Sequence, residues 1–218
     1  MPEQERNCGA NDLRISIFIK TVLTLLLGAA LFFMLKVGGA DFLVLAPRAY
    51  IDSVLYGRAG FDSSELLSSE ERFKLARSWD SSNPVPHEYL GHIANIRAAL
   101  LYSAPALQVD FLREAALNFD RAIALRPNLA VLWVDRMFIA SRNIEVAEKL
   151  GTASQIESSE LKVIGMALRR ASFLAPWDAT VLNLMVRVGR LRYIQLTPEE
   201  RLVVDGAVGR AKQLNLDI

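Results

Sequence analysis

The sequence predicts an all-α chain, with one N-terminal transmembrane helix followed by a stack of antiparallel helical hairpins. Three observations carry that prediction. Residues 15–35 form an apolar run broken only by Lys20, long enough for a helix to cross a hydrocarbon core of about 30 Å. From Ser64 to Leu214 apolar residues recur at three- and four-residue spacing, without the long alternation of a half-buried strand. The chain also repeats itself: Phe119, Ala122, Leu125 and Pro127 return as Leu168, Ala171, Leu174 and Pro176, at an offset of 49 residues. Self-similarity of this kind marks stacked units that cannot bury their apolar faces alone.

Composition bounds the function. The chain has 218 residues, more than one average domain, and a membrane segment accounts for the excess. A hydrophobic fraction of 52% and a mean hydropathy of +0.23 are too apolar for a disordered chain, while 22% charged residues are too many for repeated membrane crossings. The 25 basic and 24 acidic residues leave a net charge of +1, so no overall field attracts nucleic acid, and no nucleic-acid partner is expected. Cys8 is the single cysteine, which excludes an internal disulfide and a cysteine-based structural zinc site.

Taken in order, residues 1–14 read as an N-terminal tail on which Cys8 is an inert thiol, and residues 15–37 as the transmembrane helix. Lys20 lies about 8 Å along the helix from Ile15, so its ammonium can snorkel to the N-terminal interface. A cleaved signal peptide is the competing reading, because Gly38, Gly39 and Ala40 are small residues soon after the run. The run exceeds the about 7 to 15 apolar residues usual for a signal peptide, which favours an anchor. Arg6, Arg14 and Lys20 against Lys36 and Arg48 favour a cytoplasmic N-terminus by one positive charge. In a bacterium this describes a single-pass inner (cytoplasmic) membrane protein with a periplasmic domain.

Residues 38–62 read as a membrane-proximal connector, and residues 63–218 as the helical domain. Ser63 and Ser64 are the expected cap of its first helix, with Glu65 in the first turn. Breakers at 80–84, 103–105, 127–128, 151–152, 176 and 197–198 divide the domain into six or seven helices. The clearest start is Thr197 as N-cap, Pro198 at the first helical position and Glu200 at the third, opening a last helix over 198–214. Two partial copies of the repeat occur, Phe73 with Ala76 and Val208 with Ala211. A small alanine lets two antiparallel helices approach while Phe119 or Leu168 fills the gap between them. An irregular helical bundle is the alternative arrangement. Trp79, Trp133 and Trp177 are expected in core or turn packing.

Little catalytic material is present. His87 and His92 are the only histidines; five residues apart, they sit about 140° around a helix and cannot form the paired ligand set of a zinc protease. Glu88 and His92 share a face, where a surface hydrogen bond is expected. No phosphate-binding loop, dinucleotide fingerprint or nucleophile elbow occurs. Glu65, Glu70, Glu71, Glu199 and Glu200 are expected in first turns, complementing helix dipoles. No catalytic residue, cofactor or metal ligand is therefore expected. Arg169, Arg170, Arg187, Arg190 and Arg192 are either a solvated face or a partner-binding stripe.

Ala115, Phe119, Ala122 and Pro127, with Trp133 beyond them, resemble the second helix of a tetratricopeptide repeat and the aromatic that opens the next. The 49-residue offset exceeds the family's period of about 34, so additional residues near 141–158 are expected. The resemblance implies a groove lined by the first helix of each hairpin: Glu88, Tyr89, His92 and Asn95, then Asp135, Phe138, Ser141 and Arg142, then Asn183, Arg187 and Arg190. A single N-terminal helix ahead of the segment from Trp79 to Pro84 and of Tyr89, Leu90 and Gly91 resembles accessory proteins of bacterial exopolysaccharide biosynthesis. That likeness implies a scaffold whose partners are other membrane or envelope proteins, polysaccharide-assembly machinery among them. The alternative is direct binding of a glycan or lipid-linked oligosaccharide through Trp133, Tyr89 and Arg187.

Overall fold

The computed structural model describes residues 3–217, with side chains from Ile19 onward; the Cys8 thiol and the Arg6 and Arg14 charges lie outside the described side chains. Among the described residues the regular structure is entirely helical: α1 (Glu3–Leu55), α2 (Ser63–Trp79), α3 (Pro84–Leu100), α4 (Pro105–Leu125), α5 (Ala130–Leu150), α6 (Ala153–Leu174), α7 (Ala179–Leu191), a 3-10 turn (Tyr193–Gln195) and α8 (Pro198–Gln213).

Helix ends follow local chemistry. Asp62, one residue before the expected serines, caps α2 by accepting from the Ser64 and Glu65 amides. Asn83 caps α3, and Pro84 occupies the first helical position, where its missing N–H costs nothing. Gly151 ends α5 at φ 70°, a left-handed conformation that favours glycine. Thr197 and Glu200 close a reciprocal capping box at the start of α8, as the sequence predicts.

The helices pair as four hairpins in two layers. The C-terminal half of α1 and helices α3, α5 and α7 run parallel in the inner layer; α2, α4, α6 and α8 return in the outer one. Antiparallel pairing shows in Gly39 against Trp79 and Tyr50 against Asp62 in the first hairpin, and in Gly91 against Phe119 and Ala98 against Gln108 in the second. The parallel inner layer shows in His92 beside Asp135 and Asn95 beside Arg142, then Phe138 beside Arg187 and Ser141 beside Arg192.

The sequence repeat maps onto this architecture. Phe73 and Ala76, Phe119 and Ala122, and Leu168 and Ala171 are buried on successive outer helices, and Ala211 is buried on the last. Inner helices carry the matching small residues. A β-carbon on Gly39 would lie 2.6 Å from the Trp79 ring, one on Gly91 3.0 Å from Phe119, and one on Gly189 2.5 Å from Val204. Gly91, Ala140 and Gly189 follow the 49-residue period, and Ala140 is fully buried. The long period needs no inserted segment near 141–158: α5 has 21 residues and α6 has 22, and a short turn at Gly151 and Thr152 joins them.

The connector expected over 38–62 is a correction. The helix continues through it to Leu55, and Ala40, Val44, Pro47 and Ile51 form a buried stripe facing α2 and α3. One helix among the described residues is long and apolar enough to cross a membrane, over Ile19–Leu55, and the most apolar part of it is unburied. The same helix then supplies the inner member of the first hairpin.

Candidate functional site

All eleven residues expected to line the groove fall on α3, α5 and α7, in the inner layer. The structure brings them together in three places and leaves two of them apart.

At the junction of α1, α3 and α5 the residues are engaged with one another. The Tyr89 hydroxyl donates to Asp52 at 2.8 Å and accepts from Arg48 at 2.9 Å, while its ring stacks on Phe73. Tyr89 is therefore buried between the first two hairpins and does not face a groove. His92 packs edge-on against Phe119, and its Nε2 lies 3.5 Å from the Asp135 carboxylate. The surface bond expected between Glu88 and His92 is replaced by this contact between hairpins. Burial pushes the Asp135 carboxyl up to about 8, with the nearby Glu88 adding to the rise, and pushes the His92 imidazole down to about 4. Desolvation thus holds the pair as a carboxylic acid and a neutral imidazole. Burial raises Glu88 as well, against the opposing charges of Arg48 and Arg126.

Between α3 and α5, Arg142 donates to the Asn95 side chain and backbone carbonyl at 2.5 and 3.2 Å. Between α5 and α7, the Arg187 guanidinium stands 5.7 Å from the centre of the Phe138 ring. Here the inner face opens into a cavity of about 190 Å³. Phe138, Ser141, Arg142 and Arg187 line it, joined by Tyr102, Gln108, Glu145 and Lys149. Lys149 lies 4.1 Å from the Tyr102 ring centre and 2.8 Å from Glu145. Three cations against one carboxylate make the rim positive. The buried Gln108 donates to the Ala98 carbonyl, while its Oε1 has no partner.

Asn183 and Arg190 are exposed on α7 and make none of these contacts. The C-terminal arginines do not form one stripe. Arg169 pairs with Glu200, and Arg192 is buried, donating to Glu148 and to the Ser141 hydroxyl and carbonyl. Glu70, expected in a first turn, lies in the middle of α2 and pairs with Lys74 and with Arg97 of α3. Trp133 donates its indole N–H to the Pro127 carbonyl at 2.8 Å, a turn-packing role.

A larger hollow of about 380 Å³ lies between α6 and the start of α8, lined by Ser154, Glu157, Ser158 and Gln195. Both of its carboxylates are already paired, Glu157 with Gln195 and Glu200 with Arg169 and Thr197, while Ser154, Ser158 and Lys162 line it without a side-chain bond. The smaller cavity has a buried orphan acceptor in Gln108 and an excess of cations, Arg142, Lys149 and Arg187 against Glu145, which makes it the better binding candidate.

The sequence reading missed Tyr102, Gln108, Glu145 and Lys149. Gln108 carried a signal, since it precedes Leu112, Ala115 and Phe119 on the apolar stripe of α4, where a polar residue is out of place. Glu145 and Lys149 carried another, as an i,i+4 pair on the inner helix. Among the described residues no group of three or more histidine, cysteine or acidic side chains is placed to hold a metal ion. No family model matches the chain, and no curated protein matches it significantly.

Proposed function

We propose that the chain is a membrane-anchored scaffold that holds another membrane or envelope protein against the inner face of its hairpin stack. The observation that carries this reading is the positive cavity between α5 and α7, on the same layer of helices that the anchor enters through α1. Its cations suit a partner segment bearing acidic side chains, and the rings of Tyr102 and Phe138 suit apolar ones. Tethering to the membrane raises the effective concentration of a membrane-bound partner, so modest affinity in a small cavity suffices.

The topology in this reading is a single pass through the inner membrane, N-terminus cytoplasmic and stack periplasmic. The resemblance to tetratricopeptide-repeat accessory proteins of exopolysaccharide biosynthesis suggests polysaccharide-assembly components as partners. The glycan alternative loses Tyr89, which is buried against Phe73, and the Trp133 N–H donor, which is bonded to its own turn.

The test is a mild-detergent pull-down of the tagged full chain beside Arg187→Glu/Arg190→Glu, whose side chains lie off the apolar face of α7. Membrane or envelope proteins recovered with the wild type and lost with the variant are the expected result. Equal recovery from both, with unchanged circular dichroism, would sink the proposed face.

A further inference from the structure

The α2–α3 turn sits at a defined height on the anchor helix. Trp79, the last residue of α2, lies against Gly39 of α1, and the Asn83 side-chain amide donates to the Asp41 carboxylate at 2.8 Å. Both contacts fall just past Lys36, the charge that closes the apolar run. At 1.5 Å of rise per residue, Gly39 is about 6 Å beyond Leu35 along the helix. If the run through Leu35 fills the hydrocarbon core, the polar headgroup layer occupies about the next 5 to 8 Å.

The side chains at that height are of the kind this layer accepts. Trp79 is 39% exposed, so one part of its ring packs on Gly39 while the rest is open to the surroundings. A ring with an apolar body and an N–H donor is favoured where hydrocarbon meets water. Ser81 and Ser82 are exposed at the tip, and Asp80 and Asp41 are held in hydrogen bonds. Along α1, Val37 and Gly39 are half-buried and Ala40 is fully buried, so the folded domain starts just past Lys36.

We propose that the α2–α3 turn, with Trp79 as its anchor, is seated in the lipid headgroup layer of the membrane that α1 crosses. This rests on the membrane-crossing reading of α1 and commits to lipid as the occupant, because the turn is continuous with that helix at the level of the bilayer surface. Two attachments, the span and the turn beside it, fix the rotation of the stack about α1. A span alone leaves that rotation free.

The experiment uses the full chain with Trp79 as sole tryptophan (Trp133→Phe/Trp177→Phe) in phosphatidylcholine vesicles. Emission is compared in lipids brominated high on the acyl chain, in lipids brominated near the chain terminus, and with aqueous acrylamide. Strong quenching by the shallow bromolipid, with weaker quenching by the deep one, is expected. Free quenching by acrylamide with no response to either bromolipid would overturn the proposal. Alkaline extraction of the same vesicles separates the two readings. A chain that washes off has lost the crossing itself, whereas one that stays embedded while Trp79 ignores bromolipid has lost only the seat. Because Trp133→Phe removes a turn hydrogen bond, Ser82→Cys labelled with an environment-sensitive dye in a Cys8→Ser background provides an independent readout. A blue-shifted label in vesicles supports the seat, and a fully aqueous emission overturns it.

Discussion

The two halves of α1 are one helix with two kinds of surroundings. Over residues 19–36 every described side chain is exposed, including Leu25, Phe32, Phe33 and Met34. Past residue 39 the burial becomes periodic, with Ala40, Val44, Pro47 and Ile51 covered by α2 and α3 while Phe42 and Leu45 on the other side stay open. A helix apolar all round suits a uniformly apolar medium, and one with a single apolar stripe suits a protein neighbour. The difference teaches that the boundary between the exposed apolar segment and the folded domain is set by how apolar residues are distributed around the helix, because no break in the helix marks it.

The largest expected effect comes from breaking the packed half. Phe73→Ala empties a fully buried site against α1 and α3 and is expected to cost about 3–5 kcal/mol. Phe32→Ala in the exposed half should leave stability in detergent within about 0.5 kcal/mol. Urea denaturation of both variants, followed by circular dichroism in the same detergent, checks the contrast. Equal losses would mean that the two halves are not distinct.

Glycines sharpen the comparison at smaller scale. Gly39→Ala puts a methyl into the Trp79 ring and is expected to destabilise by about 1–3 kcal/mol. Gly28→Ala meets nothing within 4 Å and should stabilise the helix by up to about 1 kcal/mol. Thermal melts of the two variants should therefore shift in opposite directions.

A further effect is one of pH, and it belongs to the stack alone. With Asp135 raised from 3.8 to about 8, the folded protein keeps a proton that the unfolded chain gives up, so stability falls as pH rises through the folded value. With His92 lowered from 6.5 to about 4, the folded protein lacks a proton that the unfolded chain binds, so this group's contribution falls as pH drops through that window. Between about pH 4 and 6.5 the two terms oppose each other and the pair's contribution is level; from about pH 6.5 to 8 only Asp135 acts, and stability declines. Asp135→Asn should flatten that decline in urea titrations run at several pH values. An unchanged slope would assign the decline to other groups.

Much of this was legible in the sequence, and the exceptions share a cause. The capping box at Thr197, the outer-helix pairs such as Phe119 with Ala122, and the placement of groove residues on inner helices all depend on local spacing. The first hairpin was not legible, because the small residues Gly38, Gly39 and Ala40 after the apolar run made 38–62 read as a connector. In the fold Gly39 is the seat for Trp79, and Pro47 lies within the buried stripe of a continuous helix. Missing that hairpin also hid the partners of Tyr89, since Arg48 and Asp52 lie on α1. His92 and Asp135 were both named from register, but their meeting depends on how α3 lies beside α5, which neither helix encodes by itself.

Because α1 passes without a break into the core of the first hairpin, the chain has no loop to act as a swivel between its exposed apolar segment and its domain. The four hairpins behave as a lever clamped at one end. In a membrane-crossing chain, a change in the tilt of that segment would swing the far end, around α7 and α8, through an arc that grows with distance from the clamp. A partner bound at that end of a membrane-crossing chain would return the load to the bilayer as torque, and local membrane thickness and curvature would become mechanical inputs to the position of the inner face.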